Sequence, residues 1–320
     1  MNKYAKEFID EKTLIKDKDK LEQFYIDNTE DLSFINNENL TLTATRLKVK
    51  DPVNSLVIIP GRGEIAHKFY EFFYTLYKLK IEAIVIFARG QAASSRILKD
   101  KNKCHIERFE DLAKDICFVL EKLNIDNYKL LAFSLGGLIS LDIIKNMKRR
   151  PSKAALIAPY IWPYFKLPDS ILKSFVFLAG TLPFVRTMYT PHGKEYKRLE
   201  FVGNHHAQSK VRFENYHDYF AEHREIAIGG PTYHFVKEAM KKQLELINSD
   251  FEFDIDIYCQ SAGKDKVVST PKAKEFFQKH MNDKCKPRFE IIENCFHDLI
   301  NESDEYRIDA LAKALEFLFD

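Results

Sequence analysis

The 320-residue chain has few of the features that mark secreted or nucleic-acid-binding proteins. Its formal net charge is only +2, with acids and bases interspersed, so no basic face for a nucleic acid is indicated. The cysteines form no Cys-x-x-Cys pair, and an odd number of scattered cysteines is typical of reduced thiols in a cytosolic protein. They are Cys104, Cys117, Cys259, Cys285 and Cys295.

Long apolar runs and cofactor motifs are also missing. The longest apolar stretch, 171–184, is interrupted by Lys173, Gly180 and Pro183, so it does not predict a transmembrane helix. The first 20 residues mix acids and lysines without an apolar core, which argues against a signal peptide. No P-loop, dinucleotide glycine triplet or His-x-x-x-His helix is present, so we expect neither a metal nor an organic cofactor. The predicted location is cytoplasmic.

What the chain does have is an alternation of short apolar strands and amphipathic helices. Continuous apolar runs such as 56–59 and 128–133 are typical of buried parallel strands. Helical patterns at 68–79 and 108–123 separate further runs at 83–87 and 154–157. The first ~30 residues predict a polar helix outside the sheet. The pattern indicates an α/β fold with a mostly parallel, doubly wound sheet.

The most informative segment is Ala132-Phe133-Ser134-Leu135-Gly136-Gly137. An apolar strand leads into it and a helical pattern, 138–147, leads out. A strand, a tight turn with a serine at its tip and a helix form the nucleophile elbow of an α/β-hydrolase. Small residues are needed two positions either side of the serine, because its backbone is strained there. Ser134 is therefore the predicted nucleophile.

Partners for this serine follow in the order that the fold requires, an acid and then a histidine. Asp265 lies in a loop after the predicted strand 253–260, and His297 follows the predicted strand 287–292. Asp265 would orient the imidazole of His297, which would act as the general base. Other carboxylates compete with Asp265 for this role. These are Asp254, Asp256 and Asp298.

Two backbone amides are predicted to form the oxyanion hole. The N–H of Leu135 begins the helix after the nucleophile, where helix amides face an anion. The second donor of this fold comes from a loop after an early strand, and Pro60-Gly61-Arg62 follows strand 56–59 directly. Gly61 permits the turn and contacts the substrate in this prediction, and the N–H of Arg62 is the second donor.

Between the fourth and fifth predicted parallel strands the alternation stops. We therefore predict a hydrolase core of residues 1–157 and 247–320, with a helical cap inserted at 158–246. The insertion is rich in aromatic residues, and Trp162, at its start, is a predicted substrate-binding residue. Two interpretations stay open. The aromatics, with a basic cluster, contact an anionic membrane surface peripherally, or they are buried inside the cap. The basic cluster is Lys194, Lys197, Arg198, Lys210 and Arg212.

Several motifs resemble those of bacterial lysophospholipases of the PldB type, relatives of monoacylglycerol lipases in the lipase branch of the S33 serine hydrolases. The resemblance covers most of the chain from about residue 40, and its most specific segment is Gly229-Gly230-Pro231-Thr232-Tyr233-His234. Phe133 stands where that family usually has His, and Ala92 where it has Gly. The other matching segments are Pro60-Gly61-Arg62, Arg89-Gly90-Gln91-Ala92-Ala93-Ser94-Ser95-Arg96, Arg108-Phe109-Glu110-Asp111 and His297-Asp298-Leu299-Ile300-Asn301-Glu302.

This resemblance implies an enzyme that cleaves the carboxylic ester of a single-chain lipid, a lysophospholipid or a monoacylglycerol, through an acyl-enzyme on Ser134. It places Tyr233 among the substrate-binding residues. It implies a lipid ester as partner and leaves peripheral contact with the inner face of the membrane open. Two alternatives remain: an acyltransferase that uses the same acyl-enzyme, and a non-catalytic hydrolase fold that binds a lipid or a protein.

Overall fold

A computed structural model describes residues 2–166, 168–191, 193–280 and 288–320. Within these ranges eight strands form one sheet in the order β1-β2-β4-β3-β5-β6-β7-β8. Cys285 and Pro287, the first residue of the strand predicted at 287–292, lie outside the described residues. The strands are β1 (Thr29–Ile35), β2 (Thr41–Leu47), β3 (Asn54–Ile59), β4 (Ile81–Phe87), β5 (Lys129–Phe133), β6 (Lys153–Ile157), β7 (Asp256–Ala262) and β8 (Arg288–Ile292).

Helices connect these strands and cover both faces of the sheet. A 3₁₀ turn, Ala66–Phe69, leads directly into the third helix. The helices of the described residues are α1 (Glu11–Lys16), α2 (Lys18–Asn28), α3 (Tyr70–Lys78), α4 (Glu110–Lys122), α5 (Leu135–Asn146), α6 (Asp169–Thr181), α7 (Lys210–Glu222), α8 (Tyr233–Asn248), α9 (Thr270–His280) and α10 (Asp304–Phe319).

The predicted fold class is confirmed: six strands, β4-β3-β5-β6-β7-β8, are parallel, and β2 and β1 continue the sheet antiparallel at one edge. The central strands carry apolar residues on both faces because helices cover both sides. One hydrophobic cluster packs α4 and α5 on one face, and a second packs α3 and α10 on the other. Strand β1 was not predicted from the sequence, which placed only a helix in the first 30 residues.

The candidate site residues lie at the carboxyl edge of the sheet. Ser134 follows β5, Gly61 follows β3, Asp265 follows β7 and His297 follows β8. In parallel sheets this edge collects the loops that bind ligands. These residues are up to 236 positions apart in the chain, and the order of the parallel strands brings them to the same edge of the sheet.

Three helices, α6, α7 and α8, lie between β6 and β7, where the cap was predicted. Helix α8 begins at an N-cap, Thr232, whose side chain accepts from the N–H of Phe235, and it packs against both α6 and α5. Helix α8 ends at Asn248, two residues beyond the predicted boundary at 246. The division into core and cap stays a prediction.

Candidate active site

The turn at Ser134 has the strained geometry that a nucleophile elbow requires. Its φ is 50° and its ψ is −113°, values that a non-glycine residue holds only when its surroundings fix them. The N–H of Ser134 donates to Ile157 O at 3.0 Å, and its carbonyl accepts from Gly137 and Tyr160. A Cβ at position 136 would lie 2.1 Å from Ile59 O, so glycine is required there. The turn therefore presents the serine hydroxyl above the sheet.

Three side chains form a continuous hydrogen-bonded series. His297 Nε2 lies 3.0 Å from Ser134 Oγ, and His297 Nδ1 lies 2.7 Å from Asp265 Oδ2. Because a carboxylate only accepts, the proton of the neutral imidazole is on Nδ1, and Nε2 accepts from the serine hydroxyl. The Asp265 side chain is fully buried. This arrangement can move a proton from the serine to the imidazole.

Asp265 is fixed by its own loop, and the competing carboxylates face elsewhere. Asp265 Oδ1 accepts from the N–H groups of Val267 and Val268 at 2.7 and 2.9 Å. Asp254 pairs with Arg150 on the surface at 2.7 Å, and Asp298 pairs with Lys68 at 2.8 Å. Asp256 lies at the start of β7, at the opposite end of that strand from Asp265. Of the four candidates, only Asp265 contacts His297 Nδ1.

In the loop after β3, the N–H groups on both sides of Arg62 are already hydrogen-bonded, which leaves the N–H of Arg62 for an oxyanion. The N–H of Gly61 donates to Glu64 Oε2 at 2.6 Å, and the N–H of Gly63 donates to Gln91 Oε1 at 2.8 Å. The Arg62 guanidinium donates to Gly229 O at 3.0 Å, and Arg62 lines the same cavity as Ser134. The N–H of Leu135, as the first residue of α5, has no acceptor within its helix. These two amides can serve an oxyanion.

A cavity of about 460 Å³ surrounds Ser134 and His297. This volume falls in the range of roughly 300–1,000 Å³ that small-molecule sites occupy. Two exposed lysines, Lys194 and Lys197, also line it. Its apolar lining includes Phe133, Phe213, Phe220, Ile228 and Val267. The site can therefore hold an apolar group next to the serine and an anionic group near the lysines.

Two further histidines of the cavity are held uncharged. Burial lowers the pKa of His217 to about 4. Burial, together with the electrostatic effect of the nearby His297, lowers the pKa of His206 to about 4. Both imidazoles are neutral at pH 7, so their side chains add polarity but no charge. The charged side chains of the cavity are Arg62 and the two lysines, together with three acids. Two of these acids, Glu64 and Asp298, pair with the buried Lys68, and the third, Glu195, is exposed.

None of the three predicted substrate-binding residues lines this cavity. The Trp162 indole donates to Asp169 Oδ1 at 3.0 Å and packs against Leu172, Val176 and Met240. The Tyr233 ring lies 5.7 Å, edge to face, from that of Phe175. The third, Gly61, forms the turn beside Arg62 and is close to the Phe133 ring. The fold does not bring Trp162 or Tyr233 to the cavity at Ser134.

Helix α7 supplies cavity residues that the sequence analysis did not identify, among them Phe213, His217 and Phe220. No spacing relates them to Ser134. One member of the predicted basic cluster was misplaced: Arg212 is buried, and its guanidinium pairs with Glu71 at 2.9 Å and Asp304 at 2.6 Å. Buried arginines in such pairs join elements and are not available to a membrane.

The Gly229-Gly230 pair lets two backbone segments approach closely. A Cβ at Gly229 would lie 2.4 Å from Lys194 O, and one at Gly230 would lie 2.6 Å from Gly193 Cα. The following residues form bridges, Pro231 with Cys104 and Thr232 with Tyr189. Gly193, Lys194, Gly229 and Gly230 all line the cavity, so part of its wall is main chain.

The ranges that the structure describes contain no candidate metal site and no candidate membrane span. No group of three or more His, Cys, Asp or Glu side chains there could hold a metal ion. None of the helices in those ranges is both long and apolar enough to cross a bilayer. The four described cysteines are free thiols.

Known proteins similar in sequence include bacterial lysophospholipases. Lysophospholipase L2 of Escherichia coli K12 is 24% identical over 297 residues, which cover 90% of this chain and 87% of that protein. Probable lysophospholipase L2 of Haemophilus influenzae is 25% identical over 272 residues, covering 82% and 83%.

Solved structures of similar fold include two lipases. The monoacylglycerol lipase of Paleococcus ferrophilus has a TM-score of 0.68 at 11% identity, covering 87% of this chain and 98% of that one. A soluble variant of the Saccharomyces cerevisiae monoglyceride lipase, in complex with a substrate analogue, has a TM-score of 0.69 at 14% identity, covering 91% and 95%. They share the α/β-hydrolase fold. The family model described as serine aminopeptidase, S33, matches residues 50–304, and the chain belongs to this family of hydrolases.

Proposed function

We propose that the protein is a serine hydrolase that cleaves the carboxylic ester of a single-chain lipid. The observation that carries the proposal is the series Ser134, His297 and Asp265 at one side of a cavity with apolar walls. The names of the similar proteins, lysophospholipase and monoacylglycerol lipase, support a lipid ester.

The geometry suits a two-step mechanism through an acyl-enzyme. Ser134 Oγ attacks the ester carbonyl while His297 Nε2 takes the hydroxyl proton. The carbonyl oxygen becomes an oxyanion, which accepts from the N–H groups of Leu135 and Arg62. His297 then gives its proton to the leaving alcohol. Water, activated by the same imidazole, hydrolyses the acyl-enzyme and returns Ser134 to its starting state.

The cavity favours a substrate with one acyl chain and a polar end. Phe133, Phe213 and Phe220 offer apolar surface for the acyl chain. The cations Arg62, Lys194 and Lys197 lie on the same cavity and complement an anionic head group such as a phosphodiester. We therefore place lysophospholipids first among the substrates and monoacylglycerols second.

A substrate panel tests this assignment. The purified protein is given lysophosphatidylglycerol, a monoacylglycerol, a diacyl phospholipid, a short p-nitrophenyl ester and an aminoacyl anilide. We expect kcat/KM for one or both single-chain lipids to exceed that for the short ester by at least about tenfold, because buried methylenes add transition-state binding. Cleavage of the anilide alone, or of no carboxylic ester at all, would contradict the proposal.

We also propose that the exposed face of α6 contacts an anionic lipid surface. Ile171, Phe175, Leu178 and Leu182 recur every three or four residues and are all exposed, while the opposite face of α6 packs on α8. Phe184, just beyond the helix, is 90% exposed. A contiguous apolar patch of this kind marks an interaction site. Exposed lysines at the cavity, Lys194 and Lys197, complement anionic head groups.

Vesicle cosedimentation tests this contact. Wild-type protein should bind phosphatidylglycerol vesicles at low ionic strength, and the triple variant Phe175→Ser, Leu178→Ser, Phe184→Ser should lose most of that binding because its apolar insertion is gone. The matched control replaces three residues of similar exposure elsewhere by serine, Ile26, Ile35 and Val53, and should bind like wild type. Equal binding of the two triple variants would contradict the proposal, and hydrolysis of a soluble ester should not change in either.

A further inference from the structure

A buried lysine lies between two carboxylates beside the candidate site. The Lys68 side chain, on the 3₁₀ turn before α3, is 1% exposed. Its ammonium pairs with Glu64 Oε1 and lies 2.8 Å from Asp298 Oδ1. Burial opposes the charge, but the two carboxylates outweigh it and raise the pKa of Lys68. The proposed mechanism uses none of these three groups.

Glu64 connects this cluster to the oxyanion loop. Its Oε1 pairs with Lys68, and its Oε2 accepts from the N–H of Gly61 at 2.6 Å. This bond fixes the turn whose next residue, Arg62, supplies a proposed oxyanion donor. The direction of that N–H therefore depends on where the Glu64 carboxylate is held, and Lys68 holds it.

Asp298 connects the same lysine to the histidine loop. It directly follows His297, and its N–H donates to His206 O at 2.7 Å. The lysine ammonium also lies 4.3 Å from the centre of the Phe133 ring, which is 5.1 Å from the His297 ring. Phe133 immediately precedes the nucleophile. One ammonium thus contacts groups next to the oxyanion donor, the nucleophile and the general base.

We propose that Lys68 and Glu64 are positioning residues, which hold the oxyanion loop in register with Ser134 and His297. The inference rests on the proposed ester hydrolysis. Buried ion clusters stabilise a fold no better than apolar side chains of similar volume in many cases, so stability is a weak reason for this one. A displacement of about 1 Å at a reacting centre can lower kcat on the order of 10²-fold. The cluster therefore acts through kcat.

The test compares Lys68→Met with a matched lysine elsewhere. Lys242 is also buried between two carboxylates, Asp142 at 3.0 Å and Glu245 at 2.6 Å, and none of these lines the cavity. With the ester that the wild type hydrolyses, we expect Lys68→Met to lower kcat about 10- to 100-fold with KM within about threefold, since the lost term is transition-state stabilisation. Lys242→Met should leave kcat unchanged while lowering the melting temperature comparably.

Glu64 provides the second, independent comparison. Glu64→Ala removes the acceptor for the Gly61 N–H, whereas Glu64→Gln keeps a carbonyl there, so the glutamine variant should retain several-fold more kcat than the alanine variant at similar KM. Equal kcat in the two Glu64 variants, a kcat for folded Lys68→Met within twofold of wild type, or equal losses in Lys68→Met and Lys242→Met would overturn the inference. If Lys68→Met does not fold, the Glu64 pair decides. Failure of the proposed function is distinct, because the wild type itself would then hydrolyse no ester.

Discussion

Replacing Ser134 by alanine is expected to lower kcat on the order of 10⁵- to 10⁶-fold, since the acyl-enzyme can no longer form and the rest of the site supplies only binding and oxyanion contacts. The melting temperature should change little. Ser134 is half-buried, and its elbow is fixed by backbone hydrogen bonds to Ile157, Gly137 and Tyr160 that alanine keeps.

A fluorophosphonate probe measures the same point directly. Mass spectrometry of the labelled protein should locate the adduct on Ser134 and find none in the alanine variant. Ser152, whose hydroxyl donates to Tyr128 O at the other end of the sheet, provides a control. Ser152→Ala should label at the wild-type rate. An adduct on a different serine, or ester hydrolysis by Ser134→Ala above a hundredth of the wild-type rate, would remove Ser134 from its proposed role.

The second large effect is expected for Asp265→Asn, with a loss in kcat on the order of 10⁴-fold. Two amides, those of Val267 and Val268, donate to Oδ1 and will retain the carbonyl oxygen of asparagine there. The NH₂ group must then face His297 Nδ1, which becomes an acceptor. The neutral imidazole carries its proton on Nε2 instead and cannot take the one on Ser134.

Steady-state kinetics with a matched carboxylate checks this. Asp254 is one of the alternative carboxylates considered for the role of Asp265, and it pairs with Arg150 on the surface. The kcat of the Asp254→Asn variant should therefore stay within twofold of wild type. The melting temperature of Asp265→Asn should remain close to wild type because both loop hydrogen bonds persist. A loss below about tenfold would assign the orienting role to another group.

The parallel part of the fold was predictable because its strands are buried on both faces and carry continuous apolar runs. Strand β1 was not, since all its residues are half-buried or exposed and, among the described strands, it pairs with β2 alone. Such an edge strand depends on tertiary pairing more than on its own composition. The helical pattern predicted at 68–79 begins as a 3₁₀ turn, and α3 itself starts at Tyr70.

The contacts among Ser134, Asp265 and His297 were predictable from chain order, because each follows a strand that ends at the same edge of the sheet. The cavity residues of α7 were not. Which side of α7 faces Ser134 is set by long-range ion pairs such as that of Arg212 with Glu71, 141 positions apart. Trp162 and Tyr233 also lie between β6 and β7, but they pack against residues of α6 and do not line the cavity. The local sequence pattern does not show which side of a helix faces the cavity.

The main-chain wall formed by residues 193–194 and 229–230 has a consequence for altering substrate scope. Substitution of Gly229 or Gly230 cannot reshape that wall, since a Cβ at either position would collide with the opposing backbone of residues 193–195. The phenylalanines of α7 are different, because Phe213 and Phe220 line the cavity with side chains whose size limits its volume. Directed evolution toward longer or shorter acyl groups should therefore concentrate its libraries on α7 and leave Gly229 and Gly230 unchanged.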